Sequence, residues 1–169
     1  MKGLIIKNNI KCSTYLKEIF ENIKEFRDDY NWLITYPECY PQTMELKKIA
    51  KREVTWTTGL NLTEALLRED PQWIWGVFSA FSKTIKLSEV LKYPLPYADG
   101  NQALWKLPIN VQNPLAKAEI VAWDGICTLV IAEKNEIITK IEKLDLEKLD
   151  QFTALRASSW VRNALRVSN

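Results

Sequence analysis

Three groups of acidic residues carry side chains that could serve in acid–base catalysis: Asp28-Asp29, Glu69-Asp70, and Asp145, Glu147 and Asp150. A glycosidase, for example, needs two carboxyl groups roughly 5 to 9.5 Å apart across a cleft. Adjacent acids at the ends of helices are more often solvated charges, and we expect none of these groups to be catalytic. A histidine-free enzyme that uses carboxylates is therefore an alternative interpretation and not the preferred one.

Histidine is absent from the sequence, and its absence excludes several kinds of chemistry. The chain can form no Ser-His-Asp or Cys-His triad and no histidine-containing zinc site. The three cysteines, Cys12, Cys39 and Cys127, include no CxxC pair, so we expect buried thiols in a reducing compartment. The sequence also lacks the dinucleotide-binding fingerprint and the P-loop motif, and we expect no cofactor.

Aromatic residues are abundant, with 7 Trp and 6 Tyr, and they fall into two groups. The tryptophans in strand-like patterns are expected in the core: Trp32, Trp73, Trp75 and Trp123. Four tyrosines instead lie beside prolines in stretches without a regular pattern: Tyr36, Tyr40, Tyr93 and Tyr97. Because exposed aromatic residues on loops are typical of binding surfaces, these four tyrosines are the predicted interaction residues.

The end of the chain is locally basic. After Asp150 there is no acidic residue, while Arg156, Arg162 and Arg166 are interleaved with Trp160. An arginine beside an aromatic ring can hold a phosphate or a stacked base, so these four residues are a candidate anion-binding site. The alternative that we favour is a solvated surface element, balanced by the acidic run that precedes it.

The overall charge balance disfavours a dedicated nucleic-acid partner. The net charge is only +2, from 23 basic and 21 acidic residues, whereas nucleic-acid-binding domains are usually strongly basic. A second small basic cluster is open to the same two interpretations as the tail: Lys47, Lys48, Lys51 and Arg52.

Nothing in the sequence is typical of a secreted or membrane protein. The N-terminal segment Met1–Lys7 meets a charge after four residues, too soon for the apolar core of a signal peptide. The longest strongly apolar run, Pro71–Ser82, has 12 residues and is too short to span a bilayer as a helix. We therefore expect a cytoplasmic protein without a membrane partner.

Residue patterns predict alternating strands and helices. Strands are expected over Gly3–Lys7, Asn31–Thr35, Glu53–Thr57, Gln72–Phe81 and Leu104–Ile109. Helices are expected over Thr14–Phe26, Thr43–Arg52, Asn61–Glu69, Ser88–Lys92 and Glu136–Leu144. Ser13, Asn61 and Asn135 have the residue types that cap helices. The prolines of Tyr36–Pro41 are expected to end the second strand, and Gln72–Phe81, apolar on both faces, is expected to be central.

The clearest local signal is Asp124-Gly125, which separates two β-rich runs within Ala118–Ala132. Both residues accept the positive φ angles of a type I′ turn. A two-residue turn pairs Trp123 with Ile126. This register places six apolar residues on one face: Ala118, Ile120, Ala122, Cys127, Leu129 and Ile131.

Hairpins mixed with single helices favour an α+β fold over a doubly wound sheet. We expect residues 1–169 to form a single domain with a mixed, largely antiparallel sheet and helices packed mainly on one face. The pattern of Phe152–Asn169 fits a helix and a strand equally well.

The run from Ala118 to Asn135, with the Ile-rich helix after it, resembles an uncharacterised family of small proteins from Bacillus-type bacteria. Three further features are similar to that family: the start Met1–Gly3, the run Asn31–Ile34 and the aromatic-rich strand Trp75–Phe81. The resemblance implies an α+β fold and a bacterial source. It implies no activity and transfers no functional residues.

The missing catalytic signatures and the proline-flanked tyrosines favour a non-enzymatic protein-interaction module, immunity-like or regulatory, whose partner is another protein. One alternative is a ligand- or nucleic-acid-binding module that uses the Arg-rich tail, and the other is the histidine-free enzyme. The sequence does not indicate an oligomeric state.

Overall fold

A computed structural model describes residues 1–7 and 14–142, which contain one six-stranded sheet. The strands are β1 (Lys2–Lys7), β2 (Tyr30–Cys39), β3 (Val54–Thr58), β4 (Trp73–Ser82), β5 (Ala118–Trp123) and β6 (Cys127–Ala132). Their order across the sheet is β1-β6-β5-β4-β2-β3, and each neighbouring pair is antiparallel. Strand β4 lies inside the sheet between β5 and β2, as its two apolar faces predict.

Helices cover one face of the sheet. They are α1 (Lys17–Asn22), α2 (Lys24–Asp28), α3 (Met44–Ala50), α4 (Gly59–Arg68), α5 (Leu87–Val90) and α6 (Asn135–Glu142). All except α5 lie on the side where Phe20, Trp32, Leu62, Phe78 and Ile138 form the first core. The predicted α+β class, with helices mainly on one face, is confirmed.

The opposite face is covered by a long connection, residues 83–117, between β4 and β5. This connection contains α5 and the 3₁₀ helix Gln102–Trp105, and is otherwise irregular. Beneath it lies the second core, which includes Leu33, Val77 and Phe81. The sheet therefore buries apolar side chains on both faces.

The first predicted helix, Thr14–Phe26, is two short helices that meet at Ile23. The first of them begins at Lys17, where the carboxylate of Asp70 accepts hydrogen bonds from the amides of Leu16 (3.0 Å) and Lys17 (3.2 Å). A distant acid therefore satisfies these first-turn donors. The predicted cap, Ser13, lies outside the described residues.

Strand β2 continues past its first proline, so the prediction that it ends at Thr35 is wrong. The strand runs to Cys39, and its pairing with β4 shifts between Thr35 and Glu38. The shift is a bulge that contains Tyr36 and Pro37. Because a bulge residue does not take part in the ladder, a proline is tolerated there.

The predicted hairpin exists, but its register is shifted by one residue. Trp123 pairs with Cys127, and the connection is the three-residue loop Asp124-Gly125-Ile126. The φ angles of Asp124 (50°) and Gly125 (61°) are positive, as the turn residues predict. The shift moves β6 by one position, so Val130 and Ala132, not Cys127, Leu129 and Ile131, share the first core with β5.

Two further predictions of elements are wrong. Leu104–Ile109 is not a strand. Neighbouring side chains in a strand point to opposite faces, whereas Leu104 and Trp105 both pack on the second core. Helix α4 is capped by Thr58 and not by Asn61, since the Thr58 hydroxyl accepts a bond from the Asn61 amide (3.2 Å).

Trp73 and Trp75 are two positions apart on β4, a spacing that predicts one shared face, but they lie on opposite faces of the sheet. Trp73 packs in the first core, with its ring centroid 4.9 Å from that of Phe78, whereas Trp75 packs against the second core. The pairing with β2 shifts between Glu38 and Cys39, and this irregularity explains the change of face.

Within residues 1–7 and 14–142, no helix is long and apolar enough to cross a bilayer. Several predictions fall on residues outside the described part of the chain: the segment Phe152–Asn169, the acidic run at Asp145, Glu147 and Asp150, Cys12, and the helix end at Leu144.

Candidate interaction surface

The four tyrosines predicted to bind a partner all have exposed side chains. Their exposed fractions are 43% for Tyr36, 76% for Tyr40, 40% for Tyr93 and 48% for Tyr97. Exposure is necessary for binding but does not show it, so their role stays a prediction.

Tyr36 is held in an unusual backbone conformation. Its φ angle is 46°, in the left-handed region that a bulky residue seldom adopts. The strand bulge imposes this angle, while the Tyr36 amide still donates to the carbonyl of Glu53 on β3 (2.8 Å). On the neighbouring strand, a Cβ atom added at Gly76 would lie 3.5 Å from the Cα atom of Pro37. The bulge therefore rests closely on β4.

A buried hydrogen bond places Tyr97 near Tyr36. The hydroxyl of Thr35 donates to the carbonyl of Pro96 at 2.6 Å, and each partner is next in sequence to one of the tyrosines. Tyr97 itself is fixed by its backbone: its amide donates to Oε1 of Gln112 (3.0 Å), and its carbonyl accepts from Nδ2 of Asn101 (3.0 Å). Tertiary structure thus brings together the backbone segments that carry two of the four predicted residues.

A cluster of three half-buried tryptophans packs against the second core. Ring centroids of Trp75 and Trp123 are 5.2 Å apart, and those of Trp105 and Trp123 are 5.1 Å apart, each pair at a steep interplanar angle. Trp75 is two residues before Val77, the β4 partner of Thr35. We call Tyr36, Tyr97, Trp75, Trp105 and Trp123 the aromatic surface.

A buried carboxylate supports the long connection from below. Glu119 on β5 is fully buried, and its carboxylate accepts bonds from the amides of Gln112 (3.0 Å) and Asn113 (3.3 Å) and from the Ser79 hydroxyl (3.3 Å). Burial raises the pKa of Glu119 to about 7, although these donors lower it. Since Gln112 in turn holds Tyr97, the carboxylate is linked to the aromatic surface through one side chain.

The other two tyrosines are not shown to join this surface. Tyr40 directly follows Cys39, which packs in the first core on the helical side of the sheet. Tyr93 follows α5, where its amide donates to the carbonyl of Val90 (3.2 Å). The candidate anion-binding residues lie outside the described part of the chain: Arg156, Trp160, Arg162 and Arg166.

The acidic pair Glu69-Asp70 has structural bonding partners. Glu69 accepts hydrogen bonds from the amides of Gln42 and Thr43 (both 2.7 Å). These bonds, chiefly the one from Thr43, lower the pKa of Glu69. Asp70 anchors the start of α1, and burial raises its pKa to about 6. Burial also raises the pKa of the Cys39 thiol to about 12, as expected of a buried and unreactive cysteine.

The second acidic pair borders a small open cleft between α2 and α6. Asp28 forms an ion pair with Arg27 (3.0 Å), whereas Asp29 lines the cleft together with Glu25, Glu136 and Lys140. The cleft has a volume of about 130 Å³, smaller than the pockets that enclose typical ligands. Glu25 is paired with Lys140, and this hydrogen bond lowers its pKa. Among the described residues, no group of three or more acids, cysteines or histidines could hold a metal ion.

Four residues that build or support this surface were not predicted from the sequence: Glu119, Gln112, Asn101 and Trp105. Glu119 had one available signal, since it is the sole charged residue in the otherwise apolar strand Ala118–Trp123. A lone acid at a position that faces a core must find donors, and such donors come from segments distant in sequence. Gln112 and Asn101 gave no comparable signal, because polar residues in a loop are ordinary.

Comparisons with known proteins found no matching family model, no similar curated protein and no similar solved structure. The resemblance carried by Ala118–Asn135 therefore stays an expectation, and function has to be inferred from geometry.

Proposed function

We propose that this protein is a non-enzymatic interaction module that binds another protein, in the cytoplasm, through the aromatic surface. The observation that carries the proposal is Tyr36, an exposed aromatic residue on a strand bulge in a left-handed conformation. The bond between Thr35 and Pro96 brings the backbone at Tyr97 close to this bulge. Backbone strain persists only where the surrounding structure imposes it, and it is concentrated at functional sites.

The chemistry of the aromatic surface suits a protein partner. Tyrosine and tryptophan bury large areas at a small cost in side-chain entropy and are enriched among the residues that dominate binding energy. Gln112 fixes the backbone of Tyr97, and the tryptophan rings pack against one another. Such preorganisation lowers the entropic cost of association.

The two alternative functions have no comparable support. The arginine tail lies outside the described residues, so no geometry favours anion binding there. The carboxyl groups whose pKa is raised, Asp70 and Glu119, do not line the cleft between α2 and α6.

The proposal is tested by affinity capture with the double variant Tyr36→Ala/Tyr97→Ala. Tagged protein is incubated with a lysate of the cells that encode it, at low and high salt, and retained proteins are quantified by mass spectrometry. We expect one dominant partner that survives high salt, and its recovery should fall at least about tenfold in the double variant.

Tyr40→Ala is the matched control, because Tyr40 is the most exposed of the four tyrosines and is not part of the aromatic surface. Circular dichroism verifies that each variant is folded. Equal recovery by all three proteins, or no partner from a folded wild type, would contradict the proposal.

A further inference from the structure

Strand β3 is an edge of the sheet and pairs with β2 alone among the described residues. The amide of Tyr36 donates to the carbonyl of Glu53, which identifies these two as a hydrogen-bonded pair. In an antiparallel ladder such pairs alternate with pairs whose backbone groups point away from each other. The register therefore directs Thr55 and Thr57 toward β2, and leaves the amides and carbonyls of Val54 and Trp56 pointing outward.

The composition of β3 does not protect this edge. Its sequence, Val-Thr-Trp-Thr-Thr, consists of strong strand formers with no charge, proline or glycine. Natural edge strands are usually blunted by lysine, proline or bulges, and the opposite edge, β1, begins with the exposed Lys2. Val54 and Trp56 pack against the second core, so the strand is held in place, and no strand of the described part of the chain pairs with its outer side.

The start of β3 carries a surplus of positive charge. Lys48, Lys51 and Arg52 are exposed, and none of them forms an ion pair with an acid in residues 1–7 and 14–142. Glu53 is the exposed acid directly beside them. On neighbouring elements, Glu45 pairs with Arg68, and Glu69 accepts from the backbone before α3. Glu38 on β2 is exposed and forms no ion pair within the described residues, so the three cations outnumber the two acids Glu38 and Glu53.

We infer that β3 is a docking site for an extended, acidic segment of a partner protein, which joins the sheet as an added antiparallel strand. The outward groups of Val54 and Trp56 would supply the main-chain hydrogen bonds. In an antiparallel arrangement the C-terminal part of the segment lies beside the start of β3. Its acidic residues should therefore follow the strand-forming residues, where Lys48, Lys51 and Arg52 meet them.

This docking site does not depend on the aromatic surface. It uses a backbone edge and three cations, whereas the proposed function rests on exposed rings. Loss of one in an experiment would leave the other unaffected.

The probe is a fluorescein-labelled peptide with five alternating threonines and valines followed by three glutamates. Binding to the full chain is measured by fluorescence anisotropy. A peptide of the same length that ends in three lysines is the matched control. We expect the acidic peptide to bind and the basic one to bind at least about tenfold more weakly.

Two variants separate charge from backbone pairing. Lys51→Glu/Arg52→Glu changes exposed side chains and should weaken binding of the acidic peptide roughly tenfold. Val54→Pro removes an outward amide that does not bond to β2, and should abolish binding. Because a proline could also perturb folding, hydrogen exchange on the wild type gives a second readout: the peptide should slow exchange at Val54 and Trp56 but not at Thr55 and Thr57.

Three outcomes would overturn the inference. The first is absence of binding by the acidic peptide, and the second is binding without protection of the Val54 and Trp56 amides. The third is a dimer in analytical ultracentrifugation whose free chains already protect these two amides, because the occupant of the edge would then be a second copy.

Discussion

At the scale of single residues, Tyr36 is held in a conformation that its own side chain disfavours. A φ angle of 46° costs a residue with a Cβ atom about 1 to 2 kcal/mol, whereas glycine adopts it freely. The bulge and the hydrogen bond to Glu53 hold Tyr36 in this conformation. Glycine would adopt this backbone conformation without the cost, which is why we propose that the aromatic side chain serves binding.

Substitutions at Tyr36 test whether strain is present. We expect Tyr36→Gly to leave the free energy of unfolding unchanged within about 1 kcal/mol, because relief of strain offsets the extra entropy of the unfolded chain. Tyr36→Val should destabilise by about 2 kcal/mol, since a β-branched side chain is worse placed at positive φ. Urea unfolding followed by tryptophan fluorescence measures both. Equal destabilisation by glycine and valine would show that packing of the ring, and not strain, governs this position.

At the scale of elements, the start of α4 gives a direct test of which residue caps a helix. Thr58→Ala removes the hydroxyl that accepts from the Asn61 amide, and should cost about 1 kcal/mol of unfolding free energy. Asn61→Ala, which replaces an exposed side chain inside the first turn, should change stability by less than about 0.5 kcal/mol. Chemical denaturation of the two variants decides between them. A larger loss for Asn61→Ala would favour the cap predicted from sequence.

The existence of most elements could be predicted from sequence, whereas their registers could not. The turn residues Asp124-Gly125 identify the hairpin, but both faces of β6 are buried, so the apolar pattern fits two registers equally well. Asp124 and Gly125 take the expected positive φ angles, and Ile126 is added to the loop. When both faces of a strand pack against apolar cores, a one-residue shift in register leaves its apolar side chains buried.

The candidate site could be predicted only in part, because its geometry depends on contacts between distant segments. Proline-flanked tyrosines indicated Tyr36 and Tyr97 as exposed residues. Their proximity depends on the bond between Thr35 and Pro96, 61 residues apart, for which no local pattern exists. A proline also predicts the end of a strand unless the bulge that tolerates it is known.

At the scale of the whole molecule, the sheet separates two cores that are covered in different ways. Helices cover the first with their own internal hydrogen bonds, while the connection over the second is mostly irregular and needs partners for its backbone. Glu119 and Asn113 supply several of them: Glu119 accepts from two amides of the connection, and Asn113 bonds the Val90 carbonyl (3.2 Å) and the Leu115 amide (3.0 Å). Glu119 is therefore one of the buried side chains on which the cover of the second face depends.

That dependence predicts how the stability of the whole protein varies with pH. The pKa of Glu119 is raised by burial from its ordinary value of 4.5 to about 7, so the folded protein binds the proton more tightly than the unfolded chain. The stabilising contribution of the protonated form is complete below pH 4.5 and is lost as pH rises through 7. Integrated over this range, the free energy of unfolding falls by about 3 kcal/mol, of which about 1.4 kcal/mol lies between pH 6 and pH 8.

Glu119→Gln should remove this fall, because a side chain without a titratable group binds no proton in either state. Urea unfolding at pH 6, 7 and 8 compares it with the wild type and with Glu64→Gln, an exposed acid on α4 whose loss should leave the slope unchanged. The absence of histidine keeps this range free of most other titrations. Asp70, with a pKa of about 6, adds a smaller fall of the same sign that persists in both variants. An unchanged slope in Glu119→Gln would mean that the donors from Gln112, Asn113 and Ser79 outweigh burial, and that the carboxylate is already ionised at pH 6.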